Sequence, residues 1–168
     1  MITFITGGAR SGKSRYGLDL AGRYARPAFV ATAEAFDEEL RERIRRHREE
    51  REARYFTIEE PLDLAAALRR LPPETEIAIV DCLTVWLGNL LHHGQTENVD
   101  SFLAVLADPP CPLVLISNEV GMGGIAMSPL GREFADRLGR LNQQVAARAD
   151  RAVLIVSGLP LFLKGGPG

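Results

Sequence analysis

The chain has 168 residues, 46% hydrophobic and 25% charged, with a net charge of -2 at pH 7. This length fits one domain, 1–168, with a real core, and the near-balanced charge excludes a global basic field of the kind that gathers nucleic acid. Cys82 and Cys111 lie far apart without CxxC spacing, and there is neither a leader pattern nor an apolar run near the roughly 20 residues of a membrane span, so the expectation is a cytoplasmic α/β domain without disulfide or zinc.

Residues 2–6, Ile-Thr-Phe-Ile-Thr, read as a buried strand. The next eight residues are Gly7, Gly8, Ala9, Arg10, Ser11, Gly12, Lys13 and Ser14, which fit G-x-x-x-x-G-K-[ST]. A helix pattern over 15–24 follows, so the motif sits between strand and helix, the context a phosphate-binding P-loop needs. Its glycines let several backbone N–H groups converge on one phosphate, and the helix N-terminus adds partial positive charge. Lys13 is the expected contact to the β/γ-phosphates, and the Ser14 hydroxyl the expected contact to Mg²⁺.

Pro27 closes the first helical region, and 28–33 reads as a second buried strand. Residues 34–54 form a charge-rich stretch without Gly or Pro, with seven Arg against four Glu between Arg41 and Arg54. It predicts a long helix with the stripe Phe36, Leu40, Ile44, His47 and Arg51. That spacing suits a solvated amphipathic helix with a half-buried histidine. It equally suits a helix that turns His47 and its arginines toward a triphosphate, which guanidinium forks bind bidentately. Residues 55–58 suggest a short strand. A helix is then expected to open at Glu59-Glu60-Pro61, with Pro61 in its first turn, and to stop at Pro72-Pro73.

Residues 77–81, Ile-Ala-Ile-Val-Asp, are an apolar strand ending in a carboxylate, the Walker B pattern, which makes Asp81 a partner of the Mg²⁺ shell. The apolar helix 83–91 carries Trp86, and His92 and His93 close it before Gly94, where histidines favour a helix C-terminus. A short helix over 101–107 and a strand over 113–117 lead to the loop Asn118-Glu119-Val120-Gly121-Met122-Gly123-Gly124. In an open parallel sheet ligands bind beyond the carboxyl ends of strands, so this loop is either a ligand loop or a connector. A long helix over 130–149, a core strand over 152–156, a turn over 157–160 and an edge segment over 161–164 complete the chain.

Thr6 to Ser14, Ala31-Thr32-Ala33, Arg43-Ile44-Arg45-Arg46-His47-Arg48, Thr57 to Pro61, Val80 to Thr84, Ser117 to Gly123, Asn142-Gln143 and Val156 to Pro160 together resemble one family. It is the bifunctional adenosylcobinamide kinase / adenosylcobinamide-phosphate guanylyltransferase of cobalamin biosynthesis. The resemblance runs through nearly the whole chain in order. It implies an α/β P-loop NTPase fold of the RecA-like kind, with a mostly parallel central sheet flanked by helices, and a homotrimer. It implies phosphorylation of the adenosylcobinamide hydroxyl by ATP or GTP, then transfer of GMP from GTP through a guanylylated histidine, which maps onto His47. It also implies that the P-loop, Ala31, Thr32, Ala33, Arg48, Arg51, Glu59 and Asp81 surround the nucleotide, with Ser14 and Asp81 toward Mg²⁺. The family's Gly-x-Val-Pro after the Asn-Glu-Val-Gly loop is here Gly123-Gly124-Ile125-Ala126, with proline only at Pro129. A plain P-loop kinase for another small metabolite, and a nucleotide-gated switch, are the competing readings of the same motifs.

Overall fold

The structure, a computed structural model, describes residues 1–34 and 55–166. The predicted helix over 34–54, with His47, Arg48 and Arg51, lies outside the described residues apart from Glu34.

Seven strands form one sheet in the order β3-β2-β4-β5-β1-β6-β7. They are β1 (Ile2–Gly7), β2 (Pro27–Ala31), β3 (Phe56–Glu59), β4 (Ile77–Asp81), β5 (Leu113–Asn118), β6 (Arg151–Val156) and β7 (Leu159–Lys164). The first six are mutually parallel and β7 returns antiparallel to β6. Their short apolar runs are what a sheet covered on both faces requires. Alternation divides each strand between two cores. Ile2, Phe4, Ala78, Val80, Leu113 and Leu115 face the helices α2 (Leu64–Arg69), α3 (Leu83–His93), α4 (Asn98–Val105) and α5 (Pro129–Arg148). Ile5, Phe29, Ile79, Val114, Ile116 and Val153 face α1 (Lys13–Ala21). Trp86 is fully buried at the centre of the first core, its ring edge-on to Phe102 and its Nε1 donating to the Leu62 carbonyl at 2.8 Å.

Two helix starts differ from the sequence expectation. α2 begins at Leu64 rather than at Pro61, because acidic side chains cap the backbone there. Asp63 accepts from Ala66 N at 2.9 Å, while Glu60 Oε1 accepts from Leu62 N and Asp63 N and Glu60 Oε2 from Arg70. These carboxylates satisfy donors that a helix start leaves open. α4 begins three residues early, at Asn98, whose amide reaches the Leu62 carbonyl at 3.2 Å. At the end of α3 the chain turns through Gly94 at φ 67. His93 does more than cap, since its Nε2 meets Glu34 Oε2 at 3.0 Å.

Candidate active site

Parallel strands bring their carboxyl ends to one sheet edge, where loops must carry any ligand chemistry. Register fixes the neighbours. Ala31 pairs with Glu59 on one side and with Asp81 on the other, and Gly7 pairs with Asn118 and with Ile155. Because β5 lies between β4 and β1, Asn118 and Glu119 emerge between Asp81 and the P-loop.

The P-loop starts where a side chain has no room. A Cβ on Gly7 would stand 2.6 Å from the Ile155 carbonyl oxygen and 2.7 Å from Ser11 Oγ. The loop passes through the left-handed region at Arg10 (φ 57) and Gly12 (φ 96) before α1 begins at Lys13. Ser11 N donates to Gly8 O at 3.2 Å, and Tyr16 N to Gly12 O at 3.0 Å. Gly158 N, in the turn between β6 and β7, donates to Ser11 O at 2.8 Å. That turn has Ser157 at φ 51 and Gly158 at φ 81, two successive left-handed residues as in the tight turns that join right-twisted strands. It thus braces the phosphate loop, a role that composition had not signalled.

Lys13 is only 8% exposed, and its Nζ donates to Gly8 O at 3.1 Å. Burial lowers its pKa below 10.5, while Cys82 and Asp81 nearby act in the opposite direction. The P-loop lysine and the Walker B carboxylate are therefore within electrostatic reach of each other. Ser14 is half-buried at the second residue of α1.

Thr32 follows β2 and is completely buried. Its Oγ1 accepts from Cys82 N at 2.8 Å and donates to Cys82 O at 2.9 Å, and its own N–H donates to Asp81 O at 3.3 Å. Asn89 of α3 holds the Thr32 carbonyl at 2.7 Å. The Thr32 side chain is thus committed to fixing the backbone at Asp81 and Cys82. Ala31 is buried and Ala33 exposed beside it. Burial, and then the Asp81 charge, raise the pKa of the Cys82 thiol. Glu59 is exposed at the end of β3.

A buried polar cluster holds the start of the loop after β5. Ser117 Oγ donates to Asn142 Oδ1 at 2.7 Å, Asn142 Nδ2 donates to Asn118 O at 3.0 Å, and Asn118 N donates to Thr84 Oγ1 at 2.7 Å. Glu119 N donates to Gly7 O at 2.9 Å, and Gly121 N to Glu119 Oε1 at 2.9 Å. Residues 121–123 then form one 3-10 turn. A cleft of about 530 Å³ opens between P-loop residues 8–11, Glu119 with Val120 and Met122, and the end of β6. The loop is therefore one wall of this cleft.

The geometry brings Gly7 to Ser14, Ala31, Thr32, Glu59 and Asp81 to one edge. His47, Arg48 and Arg51 are outside the described residues. Among the described residues no group of three or more His, Cys, Asp or Glu is placed to hold a metal, and no helix is long and apolar enough to cross a membrane. Ser14 and Asp81 offer oxygen donors, the chemistry of a hard cation that takes few protein ligands and completes its shell with phosphate oxygens.

The profile of the family described as cobinamide kinase / cobinamide phosphate guanyltransferase matches residues 3–163. The chain is 42% identical to the bifunctional adenosylcobalamin biosynthesis protein CobP of Pseudomonas aeruginosa, over 99% of each. It is 34% identical to the bifunctional adenosylcobalamin biosynthesis protein CobU of Escherichia coli, with 98% of this chain and 100% of the relative aligned. The protein of that name from Salmonella typhimurium is 36% identical over the same shares. Among solved structures, a KaiC-like protein of Pyrococcus horikoshii superposes with a TM-score of 0.53 at 16% identity, covering 91% of this chain and 69% of that one. That last likeness is one of fold.

Proposed function

The chain belongs to the cobinamide kinase / cobinamide phosphate guanyltransferase family, and from this premise we propose that it is a bifunctional transferase of cobalamin biosynthesis. In the first reaction the hydroxyl of the aminopropanol arm of adenosylcobinamide attacks the γ-phosphorus of ATP or GTP. In the second, His47 attacks the α-phosphorus of GTP and expels pyrophosphate, and the GMP passes to the new phosphate to give adenosylcobinamide-GDP. Splitting the transfer in this way exchanges one hard displacement for two easier ones. The single observation that carries the reading is Lys13, sequestered in the P-loop beside Asp81 in a chain matched to the family from end to end.

A bound triphosphate takes over the donor that Lys13 now gives to Gly8 O. The amides of the loop and of the first turn of α1 supply the remaining contacts. Mg²⁺ at Ser14 and Asp81 would neutralise charge on the β/γ-phosphates. Ala31, Ala33 and Glu59 would line the flank, with Thr32 fixing the backbone behind them and Arg48 and Arg51 contributing with His47. Glu59, exposed at the end of β3, is the carboxylate that would orient the histidine. The homotrimer that goes with the family is supported by the exposed apolar side chains of Met122, Ile125, Met127 and Leu130, since apolar surface gathered in this way marks contact sites. We place the enzyme in the cytoplasm.

The test supplies adenosylcobinamide, GTP and Mg²⁺ and follows products by mass. Wild type yields adenosylcobinamide phosphate and then adenosylcobinamide-GDP. Lys13→Ala lowers both rates by roughly 100-fold or more, the size of effect expected when a positioned charge on transferring phosphate is lost. A wild type that consumes GTP without either corrinoid product would contradict the assignment.

A further inference from the structure

We propose that Glu119 is the base that receives the acceptor's proton in the phosphorylation step, and that the cleft between Glu119 and the P-loop seats the acceptor's hydroxyl-bearing arm. The proposal rests on the kinase reading of this site.

Strand order places the group correctly. β5 lies between the P-loop strand and the Walker B strand, so the residue that follows Asn118 emerges between the P-loop and Asp81, where the γ-phosphate of a nucleotide held by Lys13 would lie. The backbone is pinned there, because Glu119 N donates to Gly7 O at 2.9 Å and Asn118 is held on both its N–H and its carbonyl by Thr84 and Asn142. The carboxylate is oriented as well. Gly121 N fixes Oε1 at 2.9 Å, and Oε2 has no hydrogen-bond partner among the described residues.

Other acids at this edge have other work. Glu60 accepts from Arg70 and from two backbone amides. Asp81 is coupled to Lys13 and sits where a cation shell belongs. Glu119 instead lines the cleft, together with Val120 and Met122 on its own loop, Arg10 and Ser11 of the P-loop opposite, and Ile155 at the end of β6. A carboxylate facing this cleft across from the P-loop suits an acceptor hydroxyl carried on the arm of a bulky molecule.

The step balances within the site. The acceptor oxygen forms a bond to the γ-phosphorus, and the bond from that phosphorus to the β,γ-bridging oxygen breaks. The nucleoside diphosphate leaves with the bridging electron pair, and the acceptor's proton passes to Glu119 Oε2. A positioned base of this kind contributes typically about 10²–10⁴-fold.

The experiment measures phosphorylation of adenosylcobinamide from γ-labelled GTP by wild type, Glu119→Gln and Glu119→Asp. Glutamine keeps an oxygen for Gly121 N and removes the basicity, so kcat falls at least about 100-fold while KM for GTP stays near wild type. Aspartate keeps a carboxylate and recovers part of the rate. A Glu119→Gln enzyme with near wild-type kcat would overturn the proposal. So would a loss carried by KM for GTP with Asp no better than Gln, which marks a residue that only shapes the loop. Failure of wild type to phosphorylate the corrinoid would instead remove the kinase reading, and this assignment with it.

Discussion

Thr32 shows how much of the site depends on groups that never touch a substrate. Its hydroxyl both accepts from and donates to the Cys82 backbone, at full burial, and so sets where β4 delivers Asp81. Thr32→Val keeps the shape and leaves the Cys82 N–H unpaired, worth about 1–3 kcal/mol, while the Cys82 carbonyl keeps its bond from Trp86 N at 3.1 Å. Urea unfolding should show a loss of about 1 kcal/mol or more, whereas a change below about 0.5 kcal/mol would mean that this N–H is solvated. Cys111 gives a pH handle independent of the site. Burial raises its pKa from 9.0 to about 11. Between these values the unfolded thiol has released its proton and the folded one has not, so the unfolded state binds fewer protons and stability falls as pH rises. Lys13 acts in the opposite direction below 10.5, since its folded pKa is lowered. The contribution of Cys111 is therefore read as a difference. Cys111→Ala should lose less stability than wild type from pH 9 to pH 11, and identical slopes would show that the thiol is solvated.

The strands were legible because apolar runs bounded by Gly and Pro leave few alternatives, and the P-loop was legible because four required positions fall between a strand and a helix. The start of α2 was not. Pro61 suits a first turn, but the carboxylates of Glu60 and Asp63 compete for the amides and move the start to Leu64. The position of Glu119 was hidden for another reason, since only the pairing of Gly7 with Asn118 brings the two loops together across more than a hundred residues. The β6–β7 turn is the third such case, since its Gly158 N holds Ser11 O. A Cβ on Gly158 meets nothing within 4 Å, but φ is +81. Gly158→Ala should therefore cost about 1–2 kcal/mol through backbone strain alone. It should also raise KM for GTP, because relief of that strain shifts the N–H that braces Ser11 O. An unchanged KM together with the stability loss would separate the hairpin from nucleotide binding.

At the scale of the molecule, a single parallel sheet collects P-loop, Walker B carboxylate and the loop after β5 along one edge, while β7 closes the sheet beside them. On the function we propose, one nucleotide site would serve two chemistries, attack at the γ-phosphorus by a substrate hydroxyl and attack at the α-phosphorus by His47. The assignment of the histidine rests on the Arg-Ile-x-x-His segment of the sequence. The most direct measurement incubates wild type and His47→Ala with Mg²⁺ and α-labelled GTP, denatures the protein and counts acid-labile, alkali-stable label. The account predicts label on wild type that adenosylcobinamide phosphate discharges as adenosylcobinamide-GDP, with no label on His47→Ala even though that variant still phosphorylates adenosylcobinamide. Equal label on both proteins, or GMP transfer by His47→Ala at the wild-type rate, would contradict it.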